Sequence, residues 1–481
     1  MNNKYNILNK LQKIVGYKYV VYNKEDLITY EYDGSIDAAL PLAVVLPKST
    51  EEVAKVVKLA NEHKIPIIPR GAGTGLSGGA VAELGGIVLT LTRMNNILDV
   101  DVNNRVAIVE PGLVNIELSK AISKDDLYYA PDPSSQKVCT IGGNVAENSG
   151  GPHCLAYGVT TNHILGMEIV TADGCITWIG SKHRESNGYD LRGIIIGSEG
   201  TLAIVTKIAV RLLKKPEYIK TFLAVFKNVE QASAAVSGII GAGIIPAAIE
   251  MMDSLCIQAA EAAVPAGYSK DAGAILLIEA DGLKEEVEEE IEEIEQICQD
   301  YSPLETRDAT DEKEREKLWE GRKGVLGALG RLAPNYYLVD GTVPRTKLVE
   351  VLSEIEVISK KYNLPIANLL HAGDGNLHPS ILFDQRNKEQ TKLALKIGGE
   401  ILKLCVDVGG VLSGEHGIGI EKQEYLPLMF NDDDMEYMSL LKPAFQTNSI
   451  FNPGKIFPSG SKCADNLQFK AISKMGPGVY I

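Results

Sequence analysis

The chain has 481 residues, 45% of them hydrophobic, and a formal net charge of −15. This length exceeds what one hydrophobic core supports, so two or three domains are expected. The acidic balance excludes nucleic acid as the main partner, because phosphate binding needs a basic surface. No apolar run reaches the ~18 residues of a membrane span, and the N-terminus lacks a signal-peptide core, which favours a cytoplasmic protein with no transmembrane segment.

The first elements form a β/α pattern. Residues 42–48, LAVVLPK, are predicted to be a strand, and Ser49 with Glu52 fits a capping box at the start of a helix. Apolar residues then recur at helical spacing until a second strand at residues 65–69. The chain therefore begins with a strand, a helix and another strand.

A glycine-rich loop, RGAGTGLSGG, follows at residues 70–79 and matches G-x-G-x-x-G. The dinucleotide fingerprint needs a helix to begin at the last glycine, whereas here the strand GIVLTL follows at 86–91. There is no G-K-[ST], so the loop is not a triphosphate P-loop. Exposed backbone N–H groups can still bind a diphosphate; the alternative is a tight turn that packs closely.

Two further loops are rich in small residues. They are PDPSSQKVCTIGGNVAENSGG at 131–151 and IIIGSEGTLAIVT at 194–206. Strands are predicted around them in VAIVEPG, MEIVTADG and TLAIVTKIAVRLL. Three such loops are expected to line one extended cofactor. His153, just after the second loop, is expected to have a structural role.

Beyond residue 215 the pattern changes to alternating strands and helices, typical of a separate α+β domain. A helix is predicted at about 229–242, and a long acidic helix at LKEEVEEEIEEIEQICQD. The acidic residues of that helix are expected to face solvent. Its buried stripe is predicted to be Val287, Ile291, Ile294 and Ile297.

The stretch HAGDGNLHPS contains His371 and His378. Both imidazoles can bind one metal only if the chain doubles back between them, which the intervening Gly, Asp and Asn residues permit. Glu415, in SGEHGIG, can add a carboxylate and leave one coordination position open, as catalytic metal sites do. The alternative is a pair of hydrogen-bonded surface histidines.

Cysteine usage limits the redox chemistry of the chain. The seven cysteines are scattered and include no C-x-x-C. Neither a disulfide framework nor an iron–sulfur site is indicated. Single-electron carriers would therefore have to lie in another subunit.

At this point a family resemblance emerges. PRGAGTGLSGGA, PDPSS…TIGGNVAENSGG and GSEGTLAIVT resemble the FAD-binding domain of the vanillyl-alcohol-oxidase/PCMH flavoproteins. LWEGRKGVLGALGRLAPNYYLVDGTVPR, HAGDGNLHP, GEHGIG and FNPGKIFP resemble the glycolate oxidase large subunit and D-lactate dehydrogenase branch, which is related to D-2-hydroxyglutarate dehydrogenase. The similarity runs from about residue 20 to about residue 460 in the same order.

The resemblance implies an α+β fold with a two-part PCMH-type FAD-binding domain at 1–215. It implies a ferredoxin-like α+β substrate (cap) domain with a metal site at 216–450, and a C-terminal segment at 451–481 that packs back near the flavin. The residues that match the family's FAD-binding positions are Arg70, Gly71, Gly73, Thr74, Gly75, Leu76, Ser77 and Gly78 at the diphosphate; Pro133, Ser134, Gly142, Gly143, Asn148, Ser149 and Gly150 along the flavin; Glu199, Gly200 and Ile204 toward the nucleotide; and Asn452. No histidine lies between residues 70 and 79, so non-covalent FAD is expected.

The resemblance also implies functional roles in the second domain. His371, His378 and Glu415 match ligands of a divalent metal, either zinc, iron or manganese, and His416 matches the catalytic base. Arg322 matches a substrate-binding arginine; the alternative for it is a surface salt bridge with Glu316 or Glu320.

The implied reaction is FAD-dependent dehydrogenation of a D-2-hydroxy acid to the 2-oxo acid, with hydride transfer to FAD N5. Leu326 and Tyr337 fall near positions that are polar in larger-substrate relatives, which favours D-lactate or glycolate over D-2-hydroxyglutarate. The expected electron acceptor is an electron-transferring flavoprotein or an iron–sulfur subunit, through which the protein would be peripheral to the membrane. The alternatives are an oxygen-using glycolate oxidase, a metallohydrolase and a non-catalytic binding subunit.

Overall fold

The structure is a computed structural model that describes residues 2–182, 188–446 and 448–458. The chain forms two compact units. The first contains the described residues of 1–149, 159–214 and 415–481, and the second contains 150–158 and 215–414. The predicted domain limits stay a prediction, and residues 459–481 of the predicted C-terminal segment lie outside the described residues.

The described residues form nineteen strands and fourteen α-helices. The strands are β1 Val20–Val21, β2 Ala43–Val45, β3 Ile67–Arg70, β4 Ile87–Thr90, β5 Ile97–Asp101, β6 Val106–Val109, β7 Leu127–Tyr128, β8 Ile164–Val170, β9 Ile176–Gly180, β10 Ile204–Arg211, β11 Leu213–Lys214, β12 Tyr218–Phe226, β13 Ala248–Asp253, β14 Ala274–Gly282, β15 Glu305–Asp308, β16 Asn335–Leu338, β17 Gly341–Thr342, β18 Ile366–His371 and β19 Asn376–Phe383. The helices are α1 Asn2–Val15, α2 Lys24–Leu27, α3 Thr50–Glu62, α4 Asn115–Ile122, α5 Ile141–Glu147, α6 Cys154–Tyr157, α7 Leu191–Ile195, α8 Val229–Gly241, α9 Ser254–Ala263, α10 Lys284–Asp300, α11 Glu312–Leu329, α12 Leu348–Tyr362, α13 Lys388–Asp407 and α14 Asp432–Phe445. Short 3-10 turns occur at Tyr17–Tyr19, Ile28–Tyr30, Ser123–Asp125, Thr160–His163, Arg345–Lys347 and Gln423–Leu428.

The first unit begins with a four-stranded sheet in the order β1-β2-β4-β3. Strands β2, β4 and β3 are parallel because α3 provides the crossover between β2 and β3. Ser49 caps α3 by accepting a hydrogen bond from the Glu52 backbone N–H, as predicted. The reciprocal half of the capping box differs from expectation, since the Glu52 carboxylate accepts from the Lys48 N–H instead.

A second, antiparallel sheet of the first unit has the order β5-β6-β10-β8-β9, and β7 pairs with β11. Apolar residues of β6, β8 and β10 form one buried core with α4 and α5. The C-terminal segment returns to the first sheet, where Phe451 forms a parallel bridge with Ile67. This return places residues 450–452 at the start of β3, and the Asn452 side chain reaches the glycine-rich loop.

The second unit is built on an eight-stranded antiparallel sheet in the order β15-β12-β14-β13-β18-β19-β16, with β17 paired to β19. Helices α9 and α11 pack against one face and share its apolar core. The predicted helices at 229–242 and in the acidic stretch form as α8 and α10. One predicted position was wrong in α10: Ile297 is only half-buried, and Cys298 takes the buried position in the stripe.

Candidate active site

The two histidines of HAGDGNLHPS lie on one β-hairpin. His371 ends β18, and β19 begins at Asn376 after a turn that contains Gly375 with φ +81°. His371 pairs with Asn376 and His378 with Leu369, so the two histidines are two residues apart on the same face. Their ring centroids are 5.0 Å apart and both side chains are buried. The predicted doubling back therefore brings the two imidazoles together.

A buried carboxylate that the sequence analysis did not select lies next to His371. Glu250 is the cross-strand neighbour of His371 on β13, and its Oε1 lies 2.7 Å from His371 Nδ1. Burial raises the pKa of Glu250, but the charge of Arg322 and the hydrogen bond with His371 outweigh it and leave the pKa below its usual value. Glu250 is therefore linked to both neighbours. The signal in the sequence was Glu250, which stands between apolar residues in AAIEMMD.

Arg322 lies on α11 and is fully buried, with 1% of its surface exposed. Its guanidinium forms an ion pair with Glu250 and donates to the Leu370 carbonyl oxygen. Within the residues that the structure describes, Arg322 thus pairs with a buried carboxylate and not with Glu316 or Glu320 at the surface. Within the described residues, Arg322 Nε has no hydrogen-bond acceptor. One donor of a buried guanidinium is thus left for a ligand, because unpaired buried donors are costly.

A second carboxylate that the sequence analysis missed, Asp340, lies at the other imidazole. Asp340 Oδ1 is 3.7 Å from His378 Nε2, and the side chain is fully buried. The same carboxylate accepts hydrogen bonds from Ser413 Oγ at 2.7 Å and from the Gly414 N–H at 3.0 Å. Asp340 therefore fixes the chain immediately before the predicted ligand Glu415. No local pattern in YLVDGT distinguishes Asp340 from a turn residue.

Glu415 and His416 begin the segment that returns to the first unit. Glu415 Oε1 lies 3.7 Å from His416 Nε2. The residues after them are held by Glu199, whose carboxylate accepts the Ile418 and Gly419 N–H groups at 2.7 Å each. Glu199 thus holds the backbone that follows His416.

The glycine loop after β3 contains glycines with different surroundings. A Cβ on Gly71 would meet Thr140 Oγ1, and one on Gly73, where φ is +74°, would meet the Arg70 guanidinium. A Cβ on Gly75 would meet no atom within 4 Å. The first two glycines allow close packing of the chain, whereas the backbone at Gly75 faces open space.

The C-terminal segment closes the other side of this loop. Asn452 Nδ2 donates to the carbonyl oxygens of Gly79 at 2.9 Å and Glu199 at 2.8 Å. Lys455 Nζ donates to the carbonyl oxygens of Gly78 and Val81. Loop carbonyl groups are therefore paired with the C-terminal segment.

Comparisons with known proteins decide the family. Residues 215–456 match the family described as FAD linked oxidases, C-terminal domain, and residues 41–180 match an FAD binding domain. Glycolate oxidase subunit GlcD of Escherichia coli strain K12 is 45% identical over 460 residues, 95% of this chain and 92% of that protein. The chain belongs to the FAD-linked oxidase family.

Two further comparisons agree. D-lactate dehydrogenase of Anaerostipes hadrus is 34% identical over 427 residues, which cover 87% of this chain and 90% of that protein. The crystal structure of p-cresol methylhydroxylase has the same fold, with a TM-score of 0.80 and 19% identity over 96% of this chain and 98% of that one. The predicted membership and the PCMH-type α+β fold are confirmed. The chain is an FAD-linked oxidoreductase, and FAD is its cofactor.

The open space beside the Gly75 backbone leaves room for the diphosphate of FAD, and the contact itself stays a prediction. Several other residues predicted to bind FAD pack against neighbouring residues of the first unit. Gly142 packs on Pro111, and Gly200 packs on Pro69 with φ +64°. The side chain of Ile204 lies in the core.

The remaining predicted FAD residues lie in or beside the loops. Their positions are as follows: Thr74, Leu76 and Gly78 in the glycine loop with the buried Ser77; Pro133 buried and Ser134 exposed before α5; Gly143 in the first turn of α5; Asn148 at its left-handed C-cap, followed by Ser149; and Gly150 in the second unit. Contacts of these residues with FAD stay a prediction.

Tyr337, which was used for the substrate-size prediction, does not share a sheet face with His371 and His378. Tyr337 alternates with Tyr336 along β16, and Tyr336 packs on the core under α9 and α11. Tyr337 instead contacts Gly398 of α13, so it does not lie on the sheet face that carries His371 and His378. Leu326 does pack against the core of that face. The preference for a small substrate therefore rests on Leu326 and not on Tyr337.

The first unit also contains a pair of buried acids. Burial raises the pKa of Glu147 well above its usual value, and the neighbouring Glu199 raises it further. Burial likewise raises the pKa of Glu199, although its two backbone N–H bonds oppose the shift. Two carboxylates this close do not both ionise readily. The pKa of Glu147 is therefore raised more strongly than that of Glu199.

Across residues 2–182, 188–446 and 448–458, no helix has the length and the apolar character needed to cross a bilayer.

Proposed function

We propose that this FAD-linked oxidoreductase dehydrogenates a small D-2-hydroxy acid, such as D-lactate or glycolate, to the 2-oxo acid. The names of two relatives, a glycolate oxidase subunit and a D-lactate dehydrogenase, support this substrate class. The observation that carries the proposal is the buried group in the second unit. There, the Glu250 carboxylate contacts both His371, one of the two adjacent imidazoles, and Arg322, whose Nε has no acceptor among the described residues.

Arg322 is proposed to bind the carboxylate of the acid. Its Nε–H needs an acceptor, and a carboxylate oxygen is the strongest one available to a guanidinium. Since Glu250 already fixes the other end of the guanidinium, Arg322 is held in one orientation. A substrate lacking the carboxylate would leave the buried donor unpaired.

His371, His378 and Glu415 are proposed to hold a divalent metal, chosen from zinc, iron and manganese. The donor set fits, because two adjacent imidazoles and a carboxylate are common ligands of such metals. The bond from Glu250 to His371 Nδ1 is also typical of a metal-binding histidine. When bound, the metal supplies polarisation of the substrate hydroxyl as a Lewis acid.

His416 is proposed to take the hydroxyl proton, since an imidazole is the side chain suited to proton transfer near neutral pH. FAD, bound non-covalently, supplies the two-electron acceptor that the oxidation requires. Electrons are proposed to leave to a partner, either an electron-transferring flavoprotein or an iron–sulfur subunit. The relative from Escherichia coli is named as a subunit of glycolate oxidase, which supports the presence of a partner protein. The proposed location is cytoplasmic, with membrane contact made through that partner.

Anaerobic stopped-flow spectroscopy tests the reaction. The yellow protein is expected to bleach with D-lactate or glycolate, and more slowly with L-lactate or D-2-hydroxyglutarate. His416→Ala is expected to retain FAD and slow bleaching by at least about 100-fold, the usual contribution of a general base. The control is His63→Ala, which alters an exposed imidazole at the end of α3.

Three results would count against the proposal. Normal bleaching in His416→Ala would remove the proposed base. Absence of bleaching with every 2-hydroxy acid would remove the substrate class. Steady peroxide formation in air, without another acceptor, would replace the protein partner by oxygen.

A further inference from the structure

We propose that Glu250 is a positioning residue shared by the metal ligand His371 and the acid-binding Arg322. This inference rests on the proposed function and adds a residue to its site. Glu250 contacts neither reacting atom in the proposal and acts through its two partners.

The sheet register explains how one carboxylate reaches both groups. Glu250 on β13 lies directly opposite His371 on β18, so their side chains project from the same face. Helix α11 packs on that face and carries Arg322. The carboxylate is fully buried between an imidazole and a guanidinium.

The first consequence concerns the state of the His371 ring. Because Glu250 forms an ion pair with Arg322, its carboxylate oxygen accepts the hydrogen bond in the 2.7 Å contact, and His371 Nδ1 donates it. Nε2 then carries the lone pair that a metal needs. Glu250 thereby fixes both the tautomer and the ring orientation of this ligand.

The second consequence concerns Arg322. The ion pair to Glu250 occupies one end of the guanidinium, while Nε remains without an acceptor in the described residues. Loss of the Glu250 charge would free the guanidinium to rotate and would leave a buried cation without its partner. Metal affinity and acid affinity should therefore both depend on Glu250.

The chain offers a matched control in Glu279. This carboxylate lies on the adjacent strand β14, on the same face, and is also buried. It binds α11 through Trp319 Nε1 at 2.6 Å and Arg315 at 3.2 Å, and it contacts His153 at 3.2 Å. Glu279 thus is buried on the same face as Glu250 but bonds to Trp319, Arg315 and His153 instead of to His371 and Arg322.

The experiment measures cobalt(II) affinity by visible absorption in metal-stripped, FAD-containing wild type, Glu250→Gln and Glu279→Gln. Glu250→Gln is expected to weaken cobalt binding about 10–100-fold, as loss of such a partner usually does. It is also expected to raise the KM for D-lactate. Glu279→Gln is expected to leave cobalt affinity within about 3-fold, a change below that range. Glu250→Asp serves as a second variant if the glutamine form does not fold, and it is also expected to weaken cobalt binding, because the shorter side chain withdraws its carboxylate from His371.

The outcomes separate this inference from the proposed function. Unchanged cobalt affinity in whichever Glu250 variant folds, with normal binding in wild type, would overturn the role of Glu250 alone. Equal weakening by Glu279→Gln would also overturn it, because a general loss of packing would then explain the effect. Wild-type protein that takes up no stoichiometric metal would refute the metal site itself.

Discussion

At the scale of single residues, buried carboxylates of this protein differ in charge state because their neighbours differ. Glu250 and Glu279 have lowered pKa values, since cationic partners outweigh the burial that opposes them. Glu147 and Glu199 have raised pKa values, since burial dominates. The pKa of a buried glutamate is therefore lowered in the second unit and raised in the first, according to its neighbours.

Glu147 yields a prediction about pH. Its folded-state pKa lies above its unfolded value, so between these two values the folded protein binds more protons and stability falls as pH rises. Glu147→Gln removes this loss and should raise the thermal midpoint more at pH 8 than at pH 5. The neighbours Glu199, Asp33, Lys455 and Lys422 remain in both proteins.

Thermal unfolding of the apoprotein at the two pH values checks this prediction. Glu117→Gln, at a half-exposed carboxylate on α4, is the control and should show no such difference. A midpoint gain for Glu147→Gln that is equal at both pH values would contradict the assignment of a raised pKa.

At the scale of elements, the glycine loop shows that one sequence pattern can contain two kinds of glycine. Gly71 is required because Thr140 of the next loop lies where its Cβ would be, whereas Gly75 has open space. A pattern match treats these positions alike. Their roles separate only when the neighbouring loop is present.

Two substitutions test this distinction. Gly75→Ala should weaken FAD binding by 10-fold or more, roughly 1.4 kcal/mol, while leaving the apoprotein as stable as wild type. Gly71→Ala should instead lower the apoprotein's unfolding midpoint, because overpacking costs about 1–3 kcal/mol. FAD dissociation constants and apoprotein melting curves check both. Normal FAD affinity in Gly75→Ala would mean that the diphosphate does not approach this residue.

Local elements were predictable from the sequence, and the contacts between distant elements were not. The cap at Ser49, helix α8 and the hairpin at His371 each follow from residues close together in the chain. The bond between Glu250 and His371 joins residues 121 apart, and its existence depends on the strand order β13-β18, which no local pattern specifies. Asp340 escaped prediction for the same reason, as its partners at 413 and 414 lie in a later loop.

At the scale of the whole molecule, the first unit is assembled from chain segments that surround the second unit in sequence. Its last contributor, at residues 450–456, pairs with β3 and with carbonyl groups of the glycine loop. The family match ends at residue 456 as well. The flavin-binding unit is therefore complete only with residues near the end of the chain.

Truncation tests this dependence. A chain that ends at residue 448 loses Phe451, Asn452 and Lys455, and leaves the carbonyl groups of Gly78 and Gly79 without these donors. It should lose FAD and melt at a lower temperature, since each buried acceptor left unpaired costs about 1–3 kcal/mol. A chain that ends at residue 458 retains these contacts and should bind FAD normally. Equal FAD affinity in the two truncated proteins would contradict the proposed contribution.

The late position of Asn452 and Lys455 has a consequence during biosynthesis. While the ribosome is still producing the second unit, the glycine loop has already been made but has no partner for its inner carbonyls. Asn452 and Lys455 must leave the exit tunnel before they can bond to these carbonyl groups, so stable capture of FAD is expected only after that point.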